Sequence, residues 1–269
     1  MFLLLLILFL LCVLFIFMVL PNFPRRKIDH LKGYDYAHRG LWNEALPENS
    51  LPAFQNAVDH GFGIELDVHL TRDDHLVVFH DDTLTRMCGI DRPIADCTLA
   101  ELRQMRLRDS NCTIPTLDEV LQVIGGKVPM IVEIKPDKRI DELCAKTYAA
   151  MTAYGGPYCV ESFHPLAVRW FRKHAPQIIR GQLSFGPGNR RETTVLFFLL
   201  GSLIQNVLGR PDFIAYEAKT DHTLSMGIMR LCRPTLVCWT IHSQEEMDAQ
   251  RSRYDLEIFD GFVPLYISQ

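Results

Sequence analysis

No run of like charge and no low-complexity tract interrupts this 269-residue sequence, and no fixed period repeats along it. That removes disordered tails, biased linkers and solenoids from consideration. Excess positive charge is missing too. The chain has 28 Lys and Arg against 32 Asp and Glu, a net charge of −4, so nothing suggests a nucleic-acid partner. None of the eight cysteines belongs to a CxxC pair, and Cys12 lies in an apolar leader, leaving seven. An odd remainder argues against a fully paired disulfide framework, and the cysteines read as mostly buried, reduced thiols. A glycine-rich turn after the first strand, the mark of a dinucleotide-binding sheet, is also absent. His38-Arg39-Gly40 stands in its place.

Charge is missing altogether from Met1 to Leu20. Twenty helical residues span roughly 30 Å, the thickness of a bilayer's hydrocarbon core. A cleaved signal peptide needs a basic start and a small-x-small cleavage site. Here no Lys or Arg precedes the apolar run, and Pro21-Asn22-Phe23-Pro24 follows it, then Arg25, Arg26 and Lys27. The segment is expected to be an uncleaved, single-pass membrane anchor over residues 1–21, with a juxtamembrane linker over 22–33. Positive charge after the anchor puts the remaining domain, residues 34–269, on the cytoplasmic face.

Beyond the anchor, short apolar strands alternate with helical stretches. Strands are expected at Tyr34–His38, Gly63–Thr71, Met130–Lys135, Tyr158–Phe163, Ile178–Ser184, Asp212–Glu217, Leu236–Ile241 and Asp260–Pro264. Helices are expected at Leu51–His60, Thr116–Ile124, Asp141–Tyr154, Pro165–His174 and Ser243–Tyr254. Eight strands alternating with helices fit an α/β fold of the TIM type, a closed (β/α)8 barrel. An additional short strand from Leu76 and a polar excursion over about 81–115 form a small insertion after strand two. No full helix follows the eighth strand, and residues 25–32 are candidates to cover part of that gap.

The densest chemistry is Ile64-Glu65-Leu66-Asp67-Val68-His69. Alternation along a strand puts Glu65, Asp67 and His69 on one face and the three aliphatic residues on the other. The aliphatic face must meet the helices, so the carboxylates point into the barrel. Two buried carboxylates repel and lose hydration unless a cation or a proton compensates, and a metal ion is the economical solution. In Val132-Glu133-Ile134-Lys135 the same parity adds Glu133, a third carboxylate, and Lys135, a point charge suited to a phosphate. Three oxygen ligands suit Mg²⁺ or Ca²⁺ better than Zn²⁺. His38 and His80 each end an apolar strand at the same rim, where they could act as general base and general acid on a phosphodiester. His69 and His242 receive no role.

In order along the chain, His38-Arg39-Gly40, Pro47-Glu48-Asn49-Ser50, Glu65-Leu66-Asp67-Val68, Thr71-Arg72-Asp73, His80-Asp81, Glu133-Ile134-Lys135 and Trp239-Thr240 form a series that resembles the glycerophosphodiester phosphodiesterase family. The resemblance implies metal-dependent hydrolysis of a glycerophosphodiester to sn-glycerol 3-phosphate and an alcohol. It implies a divalent cation, Mg²⁺ or Ca²⁺, on Glu65, Asp67 and Glu133, and His38 and His80 as the acid–base pair. It also implies Arg39 and Lys135 on the phosphate, Trp239 lining the alcohol pocket and Glu48 as a secondary site residue. Asp74 and His242 stand where the family often has Gly and Asn, which leaves substrate preference less fixed than the chemistry. Two other functions remain open: lysophospholipase D-like cleavage of an intact lysolipid, and a non-catalytic, membrane-tethered lipid-binding barrel. The bilayer is the expected partner of the anchor, and the apolar stretch Val195–Leu208 is either an outer barrel helix or a second, interfacial lipid contact.

Overall fold

The computed structural model describes residues 1–186 and 201–265. Helix α1 (Phe2–Val19) projects from the body, its side chains exposed over most of its length. It is the one helix among the described residues that is long and apolar enough to cross a membrane. The body contains β1 (Tyr36–His38), α2 (Leu51–Asp59), β2 (Gly63–Leu70), β3 (Leu76–Val78), α3 (Thr85–Cys88), α4 (Leu99–Leu102), α5 (Leu117–Ile124) and β4 (Met130–Ile134). It continues with α6 (Ile140–Tyr154), β5 (Tyr158–Ser162), α7 (Pro165–His174), β6 (Arg180–Ser184), α8 (Asn206–Gly209) and β7 (Phe213–Glu217). Last come α9 (Leu224–Cys232), β8 (Thr235–Ile241), α10 (Gln244–Gln250) and β9 (Leu256–Phe259).

Eight parallel strands run β1-β2-β4-β5-β6-β7-β8-β9 and close on themselves, because β1 pairs with both β2 and β9. This is the expected TIM-type barrel. β3 adds an antiparallel hairpin to β2. The insertion after β2 carries its own small core of Val77, Phe79, Leu84, Met87, Ile94, Cys97, Leu102, Leu107 and Ile114.

Local sequence explains the helix starts. The Ser50 hydroxyl accepts from Ala53 N–H at the start of α2, and Thr116 with Glu119 forms a reciprocal capping box on α5. Strand parity falls as expected: Ile64, Leu66, Val68, Val132 and Ile134 pack outward against the helix layer. The inward residues Tyr36, Ile131, Cys159, Phe213, Leu256 and Ile258 fill the lower barrel. A Cβ at Gly181 would come within 2.1 Å of the Phe213 ring, so only glycine leaves room for that ring inside the barrel.

Two placements differ from the sequence expectation. The eighth barrel strand is Leu256–Phe259 and not Asp260–Pro264, because Leu256 and Ile258 supply the inward residues that complete the core while Asp260 turns off the strand end. The helix expected to run to Tyr254 ends at Gln250. Residues 25–32 lie at the lower end of the barrel. Ile28 and Leu31 join the interior cluster and seal the lower end of the barrel, where Leu31 C=O accepts from the Tyr36 hydroxyl at 2.6 Å. All eight cysteines are free, and Cys97, Cys144, Cys159 and Cys238 are buried. Of the apolar stretch 195–208, residues 195–200 lie outside the described residues; Gly201, Leu203 and Asn206 are buried in the outer wall.

Candidate active site

The site lies where the barrel strands end. β1 stops at His38, and the chain turns through Arg39 (φ 60°) and Gly40 (φ 82°). A Cβ on Gly40 would stand 2.9 Å from the Ala53 carbonyl carbon of α2, so glycine is required both by the left-handed backbone and by the close approach. This turn aims the Arg39 N–H at Glu65 Oε2, 3.1 Å away.

Beside it, β2 and β4 deliver Glu65, Asp67 and Glu133, with one ligand oxygen from each lying within 4.8 Å of the others. The register sets this cluster, since Asp67 is paired with Glu133 across the two strands. All three are at least nine-tenths buried. Lys135 Nζ lies 3.2 Å from Asp67 Oδ1 and 3.0 Å from Glu133 Oε1, yet both oxygens lack a donor in hydrogen-bond geometry. Arg39 Nε stands 3.7 Å from Asp67 Oδ2, which also accepts from Asn49 Nδ2 at 2.8 Å.

Charge does not balance here. Burial raises the Glu65 carboxyl well above its usual range, and the negative charges of Asp67, Glu133 and Glu161 push it further. Burial also lifts Glu133 to about 7 against the pull of Lys135. Burial opposes ionisation of Asp67 as well, but Lys135, His80 and Arg39 outweigh it and hold that carboxyl well below the usual range. Glu161, paired with Glu133 across β4 and β5, adds a fourth inward carboxyl, fully buried and strongly raised by desolvation. Four acidic groups thus face two close cations, Lys135 and Arg39. The donors are all oxygen, two of them orphaned, so the residues present fit a hard divalent cation.

The histidines approach from two directions. His38 Nδ1 is 3.2 Å from Asp260 Oδ2, just past β9, and its Nε2 stands 3.9 Å from Glu65 Oε2. His80, in the loop after β3, donates from Nδ1 to Asp81 Oδ1 at 2.7 Å. Each carboxylate partner fixes the tautomer that leaves Nε2 to accept a proton. Burial lowers both imidazoles below the ordinary histidine value. Trp239, on β8, sits edge-to-face with Phe163 at 5.5 Å between ring centres, and its indole N–H is buried without a partner.

Glu48 stands apart from the three-carboxylate cluster. It accepts from Arg39 Nη1 at 2.8 Å and is held by Arg86 at 2.7 and 2.8 Å. Arg86 also reaches Asp81, the partner of His80, with Nε–Oδ2 at 2.7 Å. One guanidinium from the inserted α3 therefore ties the His80 loop to the Arg39 turn. Sequence reasoning assigned no role to Arg86, Asn49, Asp81, Asp260 or Glu161. For Glu161 a signal existed, because strand parity puts it on the inward face with Cys159. His69, left without a role, is buried, with Nε2 3.4 Å from the His80 carbonyl and its imidazole lowered to about 4 by burial and Lys135. His242 is exposed in a loop.

Comparison with known proteins agrees with this architecture. The model of the "Glycerophosphoryl diester phosphodiesterase family" matches residues 38–253. A glycerophosphodiester phosphodiesterase of Caldanaerobacter subterraneus is 35% identical over 159 residues, covering 55% of this chain and 65% of that protein. A human lysophospholipase D is 32% identical over 129 residues, covering 43% of this chain and 40% of that protein. The matched stretches thus span less than two thirds of these relatives. Among solved structures, an Oleispira antarctica phosphodiesterase in complex with the product sn-glycerol-3-phosphate superposes with a TM-score of 0.73 at 22% identity, covering 87% of this chain and 95% of that one. A Thermotoga maritima glycerophosphodiester phosphodiesterase gives 0.64 at 25% identity, covering 84% and 94%.

Proposed function

The chain belongs to the glycerophosphoryl diester phosphodiesterase family, and from that premise we propose that it hydrolyses glycerophosphodiesters to sn-glycerol 3-phosphate and an alcohol. The observation that carries the reading is the convergence of Glu65, Asp67 and Glu133 beside Lys135 and Arg39 at one barrel mouth. Glu65, Asp67 and Glu133 would hold a divalent cation, Mg²⁺ or Ca²⁺, which when bound would neutralise charge on the phosphate oxygens. Arg39 and Lys135 supply fixed positive charge to the same oxygens, and a preorganised donor costs no rearrangement as negative charge develops. Of His38 and His80, one takes the proton from the attacking hydroxyl and the other returns a proton to the leaving alcohol oxygen. The neighbouring glycerol hydroxyl is the favoured nucleophile. Its attack forms a new P–O bond as the alcohol's P–O bond breaks, and water then opens the cyclic phosphate. Trp239 lines the side of the pocket that takes the glycerol or alcohol group. Helix α1 is the retained membrane anchor, with the barrel on the cytoplasmic face.

One panel tests the activity: glycerophosphocholine, glycerophosphoethanolamine, glycerophosphoglycerol and lysophosphatidylcholine, each with and without chelator. Chelator-sensitive release of sn-glycerol 3-phosphate from the first three is expected. Cleavage of the lysolipid alone would move the protein to lysophospholipase D chemistry, and no release from any of the four would leave a binding barrel.

Metal affinity should depend on pH with a defined sign. In the metal-free protein burial lifts the Glu133 carboxyl to about 7, so at neutral pH part of the population carries a proton there, and burial raises Glu65 in the same direction. Metal must displace those protons, and apparent affinity should rise as pH goes from about 6 to about 8. Calorimetric titration in two buffers of different ionisation enthalpy should show proton release on binding. A pH-independent affinity would contradict the assignment.

Arg86 acts through its neighbours as a positioning residue. Arg86→Ala should lower kcat by about 10–100-fold, the usual effect of losing an orienting partner. Arg86→Lys should recover only part, since lysine cannot hold Glu48 and Asp81 with one fork. Free guanidinium added to Arg86→Ala should restore part of the turnover, a readout that general loosening of the fold would not give.

A further inference from the structure

Parallel strands give the barrel two unlike ends, and the candidate site occupies the end where strands stop. The segment after α1 binds the other end, where strands begin. Asn22 donates from its backbone N–H to Pro211 O at 2.8 Å and from Nδ2 to Asp212 Oδ1 at 2.7 Å, just before β7. Arg26 Nη1 donates to Pro176 O at 2.7 Å and Ile178 O at 3.0 Å, just before β6, and its Nη2 bonds Gln177 O. The last turn of α1 is fastened to the same region. Val19 is fully buried and its carbonyl accepts from Asn206 Nδ2 at 2.8 Å. Arg210 Nη1 donates to Phe17 O and Leu20 O, both at 2.8 Å, with its guanidinium 4.5 Å from the centre of the Phe17 ring. Free carbonyls at a helix end need such partners once away from water. A segment removed after membrane targeting has no use for them.

The surface around this exit has the composition of a membrane interface. Phe23 is 88% exposed, an aromatic ring held beside the end of an apolar helix. Arg25 and Lys27 are exposed next to it. Arg172 and Lys173 are exposed at the C-terminal end of α7, which leads into the start of β6, and Arg172 Nη1 bonds the α8 carbonyls of Val207 and Leu208 at 3.2 and 3.0 Å. Residues 21–32 hold four basic side chains, Arg25, Arg26, Lys27 and Lys32, against one acidic side chain, Asp29.

We propose that the strand-start end of the barrel is seated on the anionic lipid surface of the bilayer that α1 spans, through Phe23, Arg25, Lys27, Arg172 and Lys173, and that the catalytic mouth opens at the opposite end, toward water. The inference rests on the reading of α1 as a retained anchor. It also narrows the proposed substrate class to a phosphodiester that arrives dissolved, rather than a lysolipid lodged in the same leaflet.

The test uses the full chain in nanodiscs of phosphatidylcholine, with or without phosphatidylglycerol, and reads amide exchange and turnover together. Phosphatidylglycerol should slow exchange across residues 22–32 and 172–178 by on the order of tenfold, as expected for several basic side chains at an anionic surface. The rim loops 42–46, 81–84 and 108–112 should be unaffected. The triple variant Arg25→Glu, Lys27→Glu, Lys173→Glu should lose this protection while hydrolysing dissolved glycerophosphocholine at the parent rate. Lysophosphatidylcholine placed in the host nanodisc should be cleaved no faster than the same lipid supplied on separate vesicles. Protection of the rim loops, absence of any phosphatidylglycerol effect at residues 22–32, or preferential cleavage of the co-embedded lysolipid would each overturn the proposal. Failure of the chain to stay with the nanodisc overturns the anchor reading beneath it. Loss of glycerophosphocholine turnover alone would strike the proposed activity and leave the lipid contact standing.

Discussion

His80→Ala should lower turnover of glycerophosphocholine by about 10²–10⁴-fold, the range lost with a general acid or base, while circular dichroism and melting temperature stay close to the parent. The expectation of an intact fold comes from the location of His80. It follows the hairpin strand β3, outside the closed ring of strands, and its side chain is partly exposed. Removing the imidazole leaves Asp81 still held by Arg86 at 2.7 and 3.0 Å, so no buried carboxylate is orphaned. The measurement is kcat on purified protein over a range of pH. Loss of one limb of the pH profile would mark His80 as a titrating participant. A variant with parent-like kcat would remove it from the mechanism.

Glu65→Gln should separate catalysis from stability in the opposite sense to an ordinary core substitution. Glutamine keeps the size and an oxygen to accept from the Arg39 N–H at 3.1 Å. It removes a buried carboxylate that Asp67, Glu133 and Glu161 all repel. The folded carboxyl is raised above its unfolded value, so ionising it opposes folding, and that penalty grows as pH rises through and above the unfolded value. Metal-free Glu65→Gln should therefore melt at or above the metal-free parent at pH 8. Its activity should fall by about 10²–10³-fold, since several kcal/mol of charge stabilisation by a metal corresponds to two or three factors of ten. Chelator should destabilise the parent more than the variant, read by thermal melting. A variant as active as the parent and equally sensitive to chelator would remove Glu65 from the metal site.

How much of this was legible in the sequence depended on range. Parity along one strand is local, and it placed Glu65, Asp67, Glu133 and Lys135 inward because the alternating aliphatic residues had to meet the helices. The same rule applied to Tyr158–Ser162 would have marked Glu161. Arg86 was illegible for a different reason. Its partners Glu48 and Asp81 lie on separate loops, brought together only when the inserted core of Leu84, Met87 and Leu102 packs. The eighth strand was misplaced because Glu257 interrupts its apolar run. Glu257 lies among Asp35 and Arg251 on the outer side, and burial beside Asp35 lifts it to about 7. An acidic residue on a barrel's outer face needs a partner from another element, which no single-strand pattern reveals. The apolar helix α1 was clear from composition, but its fastening to Asn206 and Arg210 links residues more than 180 positions apart.

The closure of β1 on β9 has a consequence for the order in which the protein becomes competent. On a ribosome, β1 with His38 emerges more than 200 residues before the strand that completes the ring and before Asp260, whose carboxylate stands 3.2 Å from His38 Nδ1. Pairings this distant in sequence are slow to form, because the chain must lose loop entropy before the contact rewards it. A nascent chain can thus be largely folded while His38 still awaits its partner Asp260. Premature termination before Leu256 leaves an open sheet with unpaired edges, a species for proteases to clear rather than a weak enzyme.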